Sequence, residues 1–240
     1  MHGITPQIIG SGMIAQAFSE SRFSRQTLVF ASGVSNSSEA RVREFQRERE
    51  LLEKVVEENP DSEIIYFSST SILMNKSNAY SEHKKNMEAL LVNKAKDFYI
   101  FRLPQVVGVV LNNTLVSYLV RSCMERRCLD VHGNAVRNLI DIDDVVRIVQ
   151  LVVNERLGAC SIQTLASASN VPVPYLVTEI SGLLNVPCEI NTHPKGDDQT
   201  VSIDFLRKYL DDADPILDDD YWKAVLRKYV PLLKSRISGE

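Results

Sequence analysis

Short apolar runs alternate with amphipathic segments along the whole chain, and this alternation limits the fold more than any single motif. Ile8–Ile9, Thr27–Ala31, Ile64–Phe67, Phe98–Leu103, Cys128–Val131, Leu139–Ile142, Ser161–Ala166 and Glu189–Thr192 have the length and composition of strands. The segments between them predict helices from Gly12 to about Ser21 and over 38–59, 80–93, 115–126, 145–154, 173–184, 204–210 and 221–233. Strand and helix in alternation predict an α/β fold, a doubly wound parallel sheet covered by helices on both faces. No internal repeat or linker interrupts the pattern.

A chain of 240 residues with 44% hydrophobic composition can bury a substantial core. Its formal charge of −4, with acidic groups scattered along the sequence, offers no broad basic field to nucleic acid. The N-terminus lacks a basic region followed by an apolar signal core, and no apolar run approaches the ~18 residues that span a bilayer. A cytoplasmic protein, with no membrane and no nucleic acid among its partners, is the expectation. Cys123, Cys128, Cys160 and Cys188 have no ligand spacing and read as reduced thiols. Asp141, Asp143 and Asp144 fit helix capping and hydration, and Asp218–Asp220 fit the start of the last helix, so no metal is expected.

The stretch IIYFSSTSILMNKSNAYSEHKK, residues 64–85, carries the chemistry. A buried strand ends in Ser68, Ser69 and Thr70, at the strand end where open α/β sheets hold ligands. Tyr80 and Lys84 are four apart on a predicted helix and so share one face. An ammonium beside a phenol favours the phenolate, which would let Tyr80 exchange a proton with a carbonyl or alcohol while Thr70 hydrogen-bonds the same oxygen. Earlier, Gly10-Ser11-Gly12-Met13-Ile14-Ala15 follows the first strand in the G-x-G-x-x-A form of a dinucleotide loop. A second small-residue loop, Ser32-Gly33, follows the next strand.

Taken together, these segments resemble the extended short-chain dehydrogenase/reductase family, in particular its nucleotide-sugar epimerases, dehydratases and ketoreductases. GSGMIA resembles the glycine-rich cofactor loop, FSST the strand-end hydroxyl motif and YSEHK the Y-x-x-x-K signature. FRLPQVVG, GNAVRNLIDIDDVV and HPKGDDQTVSIDFLRKYL resemble later family segments, so the likeness spans almost the full length. The resemblance implies a Rossmann-like cofactor part over 1–105 and 139–170, with a smaller substrate-binding lobe over 106–138 and 171–240. It implies Tyr80 as acid/base, Lys84 as the residue that tunes Tyr80 and holds the nicotinamide ribose, and Thr70 as a second hydroxyl on the substrate oxygen. Gly10, Ser11, Gly12, Met13, Ile14, Ser32, Gly33, Lys84 and Pro104 would contact NAD or NADP. Gln105, where the family usually has Asn, and the cations Arg137 and Lys195 would contact a nucleotide sugar. The charged helix over 38–59 could also be half of a homodimer interface.

The chain departs from the family pattern in two places. Only a helix's worth of sequence lies between the glycine loop and the strand TLVFA, where the family has two further strand–helix pairs, and no residue matches the one that reads the adenosine ribose. Arg22 and Arg25 could meet a 2′-phosphate. The interval from Thr70 to Tyr80 is also short for the family. Ser71 and Ile72 follow Thr70 where a 4,6-dehydratase would have Asp-Glu, and the Cys and His of the 3,5-epimerising members are missing from the matching places. The reading that remains is NAD(P)H-dependent reduction of a nucleotide-linked 4-keto-sugar with Tyr80 as acid. The alternatives are a C4 epimerase or dehydrogenase, and a noncatalytic member of the fold.

Overall fold

The computed structural model describes residues 3–74, 77–110 and 114–239. In chain order its elements are β1 (Gln7–Ile9), α1 (Met13–Ala17), β2 (Thr27–Phe30), α2 (Val42–Glu58), β3 (Glu63–Ser69), α3 (Ala79–Lys94) and β4 (Phe98–Leu103). There follow β5 (Gln105–Val107), α4 (Leu115–Met124), β6 (Leu129–His132), β7 (Val136–Asp141), α5 (Ile142–Asn154) and β8 (Ser161–Thr164). The last elements are β9 (Asn170–Pro172), α6 (Val173–Leu184), β10 (Ile190–His193), α7 (Asp204–Tyr209) and α8 (Tyr221–Ser238). They form two compact units, residues 1–103 with 143–165 and residues 104–142 with 166–240.

The first unit is built on a five-stranded parallel sheet in the order β1-β2-β3-β4-β8. Alternation along the strands sorts its core. Leu28, Phe30, Ile64, Tyr66, Phe98 and Ile100 pack with Leu52, Val55, Val56, Met87, Leu90 and Leu91 of α2 and α3. Each buried aliphatic side chain on this face contributes ~1.5–3 kcal/mol. Phe67 points to the other face, where it meets Phe18 at the end of α1 with ring centroids 5.4 Å apart. Helix α5 is tied to the same connection, because Gln150 and Asn154 donate to the Arg22 carbonyl and Asn154 accepts from the Ser24 amide.

This arrangement has a topological consequence. The steps β1 to β2 and β2 to β3 run in the same direction across the sheet, yet α1 and α2 lie on opposite faces, so the two connections have opposite hand. Parallel crossovers are overwhelmingly right-handed. Here β1 is the edge strand of the sheet. Gly10 and Ala31 follow β1 and β2 at the carboxyl ends of these parallel strands, the end at which open α/β sheets generally bind ligands.

Four helices differ from the sequence expectation by three residues or more at one end, α5 starting at Ile142 and α8 running on to Ser238. Helix α1 stops at Ala17 because Phe18 turns into the core, fully buried, and Ser21 Oγ closes the turn by donating to the Phe18 carbonyl at 2.6 Å. Helix α2 starts at Val42 because the Glu39 carboxylate accepts from the Ala40 and Arg41 amides and from the Arg41 guanidinium, which holds that segment in a turn.

The second unit carries a three-stranded sheet, β5-β7-β9, and a parallel pair, β6 with β10. Helices α4, α6 and α8 pack on one another, and Leu119, Val120, Leu176, Ile180, Leu226 and Val230 on them are buried. Asp141 at the end of β7 accepts from Tyr229 at 2.5 Å and Lys228 at 2.6 Å, so helix α8 holds that carboxylate. No helix among the described residues is long and apolar enough to cross a membrane.

Candidate functional site

Gly10 stands at the exit of β1 with φ +134°, a conformation open to glycine, and a Cβ there would run into the Ala31 carbonyl. The turn is therefore pressed against the end of β2. Gly12 differs: nothing lies within 4 Å of where its Cβ would be, and Gly10, Ser11 and Gly12 are all exposed. Met13 and Ile14 follow in α1, half-buried, and Gln16 braces the turn by donating to the Ser11 carbonyl at 3.0 Å. Ser32 receives the Arg47 guanidinium on its hydroxyl at 3.2 Å and on its carbonyl at 3.1 Å. Arg25 stands just before β2, at the opposite end of the parallel strands from the glycine turn. Arg22 is turned on its own neighbours, donating to the Glu20 and Ser21 carbonyls.

Helix α3 is fixed at its start by a capping box. The Asn78 side chain accepts from the Ser81 amide at 2.8 Å, and the Ser81 hydroxyl accepts from the Asn78 amide at 2.9 Å. That start puts Tyr80, His83, Lys84, Met87 and Glu88 on the buried side of the helix. Thr70, buried, opens the short 3₁₀ turn Thr70–Leu73 that continues β3. Tyr80 and Lys84 do meet: the Lys84 ammonium is 5.9 Å from the Tyr80 ring centroid. The Tyr80 hydroxyl has no hydrogen-bond partner among the described residues.

Lys84 is committed elsewhere. Its ammonium donates to Glu48 Oε1 at 3.0 Å and to the Tyr66 hydroxyl at 3.1 Å, with a longer contact of 3.5 Å to the Phe67 carbonyl. Those are the three donors an ammonium has. Glu48, on α2, is fully buried and is the hub of the cluster, accepting from Tyr66 at 2.6 Å and the Val34 amide at 2.6 Å and bonding His83 Nε2 at 2.9 Å. Phe45 stacks on His83 with centroids 4.6 Å apart. Burial pushes the Glu48 carboxyl up, but Lys84, His83, Tyr66 and the Val34 N–H outweigh it and bring it down to about 2. Burial and the neighbouring Glu48 push the Tyr66 phenol well above its ordinary range. Gly33 closes over the pair: a Cβ there would lie 2.7 Å from Lys84 Nζ and 3.0 Å from Glu48 Oε1.

Sequence reasoning missed Glu48, although it left a mark. Glu48 is three residues after Phe45 and four before Leu52, inside the apolar stripe of α2, where a carboxylate has to find a partner. A second buried acid, Glu88, takes Ser68 at 2.5 Å and a bidentate Arg102 at 2.9 and 2.6 Å, which gives Ser68 a structural employment.

In the second unit, Pro104 precedes β5 and Gln105 begins it, in register with Leu139 of β7. Arg137 lies at the start of β7, half-buried, and donates to the Val136 carbonyl at 2.8 Å and the Asp197 carbonyl at 2.9 Å. Burial lowers the proton affinity of its guanidinium, with Asp197 opposing. Exposed Lys195 sits on the segment that pairs with this strand, through the Val136–Asp198 bridge and the Asn134 amide on the Lys195 carbonyl. Arg137 is thus on β7, and Lys195 is on the irregular segment that follows β10 and bridges to β7 at Asp198.

A parallel sheet with its glycine turn at the strand ends, followed by a buried Tyr and Lys one helical turn apart, decides the comparison. The fold is that of the extended short-chain dehydrogenases/reductases. A UDP-N-acetylglucosamine 4-epimerase from Methanobrevibacter ruminantium, in complex with UDP-N-acetylmuramic acid, superposes with TM-score 0.70 at 15% identity, over 89% of this chain and 78% of that one. A dTDP-4-dehydrorhamnose reductase from Clostridium acetobutylicum gives 0.70 at 14% identity, over 87% and 81%. The Thermus thermophilus UDP-glucose 4-epimerase in complex with NAD gives 0.69 at 10% identity, over 92% and 81%. No protein-family model matches the sequence, and no curated protein matches it. In this chain β1 is the edge strand of the sheet.

Proposed function

We propose that this chain is a nucleotide-sugar-binding member of the short-chain dehydrogenase/reductase fold that has given up dinucleotide-dependent turnover. The observation that carries the reading is the state of Lys84: buried, with its three donors spent on Glu48, Tyr66 and Phe67. A ribose diol needs donors that this ammonium no longer has free. With β1 at the sheet edge, the strands that would flank an adenosine are missing as well. The residues present therefore do not fit a nicotinamide dinucleotide.

Sugar-nucleotide binding is supported by Arg137 on β7 and Lys195 on the segment that bridges to it, two cations of the kind that hold a pyrophosphate. Several structural neighbours act on UDP- or dTDP-linked sugars. Isothermal titration with UDP-N-acetylglucosamine and dTDP-glucose, beside titration with NADH and NADPH, tests the reading. Binding of a nucleotide sugar without binding of either dinucleotide supports it; dinucleotide binding by the unmodified protein defeats it.

A second reading, reduction of a 4-keto-sugar with Tyr80 as acid and Thr70 on the same oxygen, is favoured by the open space over Gly12 and the unpartnered Tyr80 hydroxyl among the described residues. It requires Lys84 to leave Glu48. Turnover of a UDP- or dTDP-linked 4-keto-sugar with NADPH, lost in Tyr80→Phe, would establish it.

A further inference from the structure

We infer that Glu48 is the positioning residue that keeps this site closed to a dinucleotide, its carboxylate holding Lys84 in the place of a ribose diol. The inference rests on the reading above and names the residue responsible. A vicinal diol and a carboxylate present the same thing to an ammonium, two oxygens a short distance apart, but the carboxylate is charged and permanently attached. Glu48 has no solvent exposure, and Val34, Tyr66 and His83 fix its two oxygens from three sides. A ligand cannot displace it without unmaking all of those contacts.

The same contacts bind the β2 exit to the clamp. The Val34 amide donates to Glu48, and Gly33 has no room for a side chain above the ion pair. Helix α3 is drawn in too, since Asn78 Nδ2 reaches the Ser37 carbonyl at 3.3 Å. The loop 32–37 at the β2 exit is therefore held by Glu48 through Val34 and by Asn78 through Ser37. One buried carboxylate fixes the amine and the β2 exit together.

The test compares Glu48→Gln with the unmodified full-length chain by two readouts. The first is the rate at which acetic anhydride modifies Lys84, read by mass spectrometry with the neighbouring, part-exposed Lys85 as internal reference. The second is NADH affinity, followed by dihydronicotinamide fluorescence. The expected result is Lys84 shielded in the unmodified chain and modified roughly tenfold faster in Glu48→Gln, with NADH bound at least about tenfold more tightly by the variant. A folded Glu48→Gln whose Lys84 stays as slow as in the unmodified chain overturns the inference, and so does an unchanged NADH affinity. If Glu48→Gln does not fold, Glu48→Asp, which keeps the charge and withdraws it by one methylene, serves with the same two readouts and the same deciding outcomes. Tight NADH binding by the unmodified chain would instead strike the reading under Proposed function, and the labelling rates would still judge Glu48.

Discussion

The Lys84 ammonium lies 3.0 Å from Glu48 Oε1, with 3% and 0% of the two side chains exposed, and this buried pair separates the chain from the chemistry that its Tyr80–Lys84 spacing implies. An ammonium next to a phenol favours the phenolate. Here the ammonium is instead hydrogen-bonded to a carboxylate, a phenol and a carbonyl. The cluster has the form of a structural core element, and its energetics can be measured as such.

Glu48→Ala is expected to destabilise the fold by about 3–5 kcal/mol, because Lys84 and His83 would be left buried without their partner. Replacing both members, Glu48→Met with Lys84→Met, is expected to cost clearly less than the two single changes added together, since neither leaves an orphaned charge. Urea unfolding of the four proteins gives the cycle.

The pH dependence follows from Glu48. Its folded carboxyl titrates at about 2 against an ordinary value of 4.5, so the stability it contributes is present above ~4.5 and is lost as pH falls from there towards 2. The loss is on the order of 3 kcal/mol. Stability of the unmodified chain, measured by denaturant at stepped pH, should fall through this window, and Glu48→Gln should show a flatter profile.

The glycines divide by function. Gly10→Ala meets a positive φ and the Ala31 carbonyl, and is expected to cost at least about 1–3 kcal/mol. Gly12→Ala has open space and φ −76° at the start of α1, and is expected to leave the melting temperature nearly unchanged, so any effect on a ligand would be read directly as binding. Gly33→Ala should destabilise by forcing Lys84 and Glu48 apart. Thermal unfolding of the three variants separates these cases.

The strands of the main sheet were legible because each is an apolar run bounded by turn residues, and helix α6 could be placed from Val173 to Leu184 by its proline-marked start. Strands β5 and β9 were not legible. Each has three residues beside a proline, Pro104 before β5 and Pro172 closing β9, and only their pairing with β7 makes them strands. The shortening between the glycine turn and TLVFA was visible in the spacing, but its result, β1 at the sheet edge with α1 and α2 on opposite faces, depends on long-range pairing. At the candidate site the Tyr–Lys spacing was plain. The partner of Lys84 was hidden because it comes from 36 residues earlier, as one acid in a helix crowded with charge.

Arg137→Met and Lys195→Met are each expected to weaken UDP-N-acetylglucosamine or dTDP-glucose binding by about tenfold, the loss of one charge-assisted contact of ~1.5 kcal/mol. Neither should change NADH behaviour. Calorimetric titration of the two variants checks this, and equal affinity in both would remove the pyrophosphate from their assigned role.

The most direct measurement is a fluorescence titration of the folded, unmodified chain with NADH and NADPH up to about 1 mM, the range of weak binding. The account predicts no saturable change with either, because Lys84 has no donor left to offer. A saturable signal that disappears in Lys84→Met would show that the amine does reach a ribose, and would contradict it.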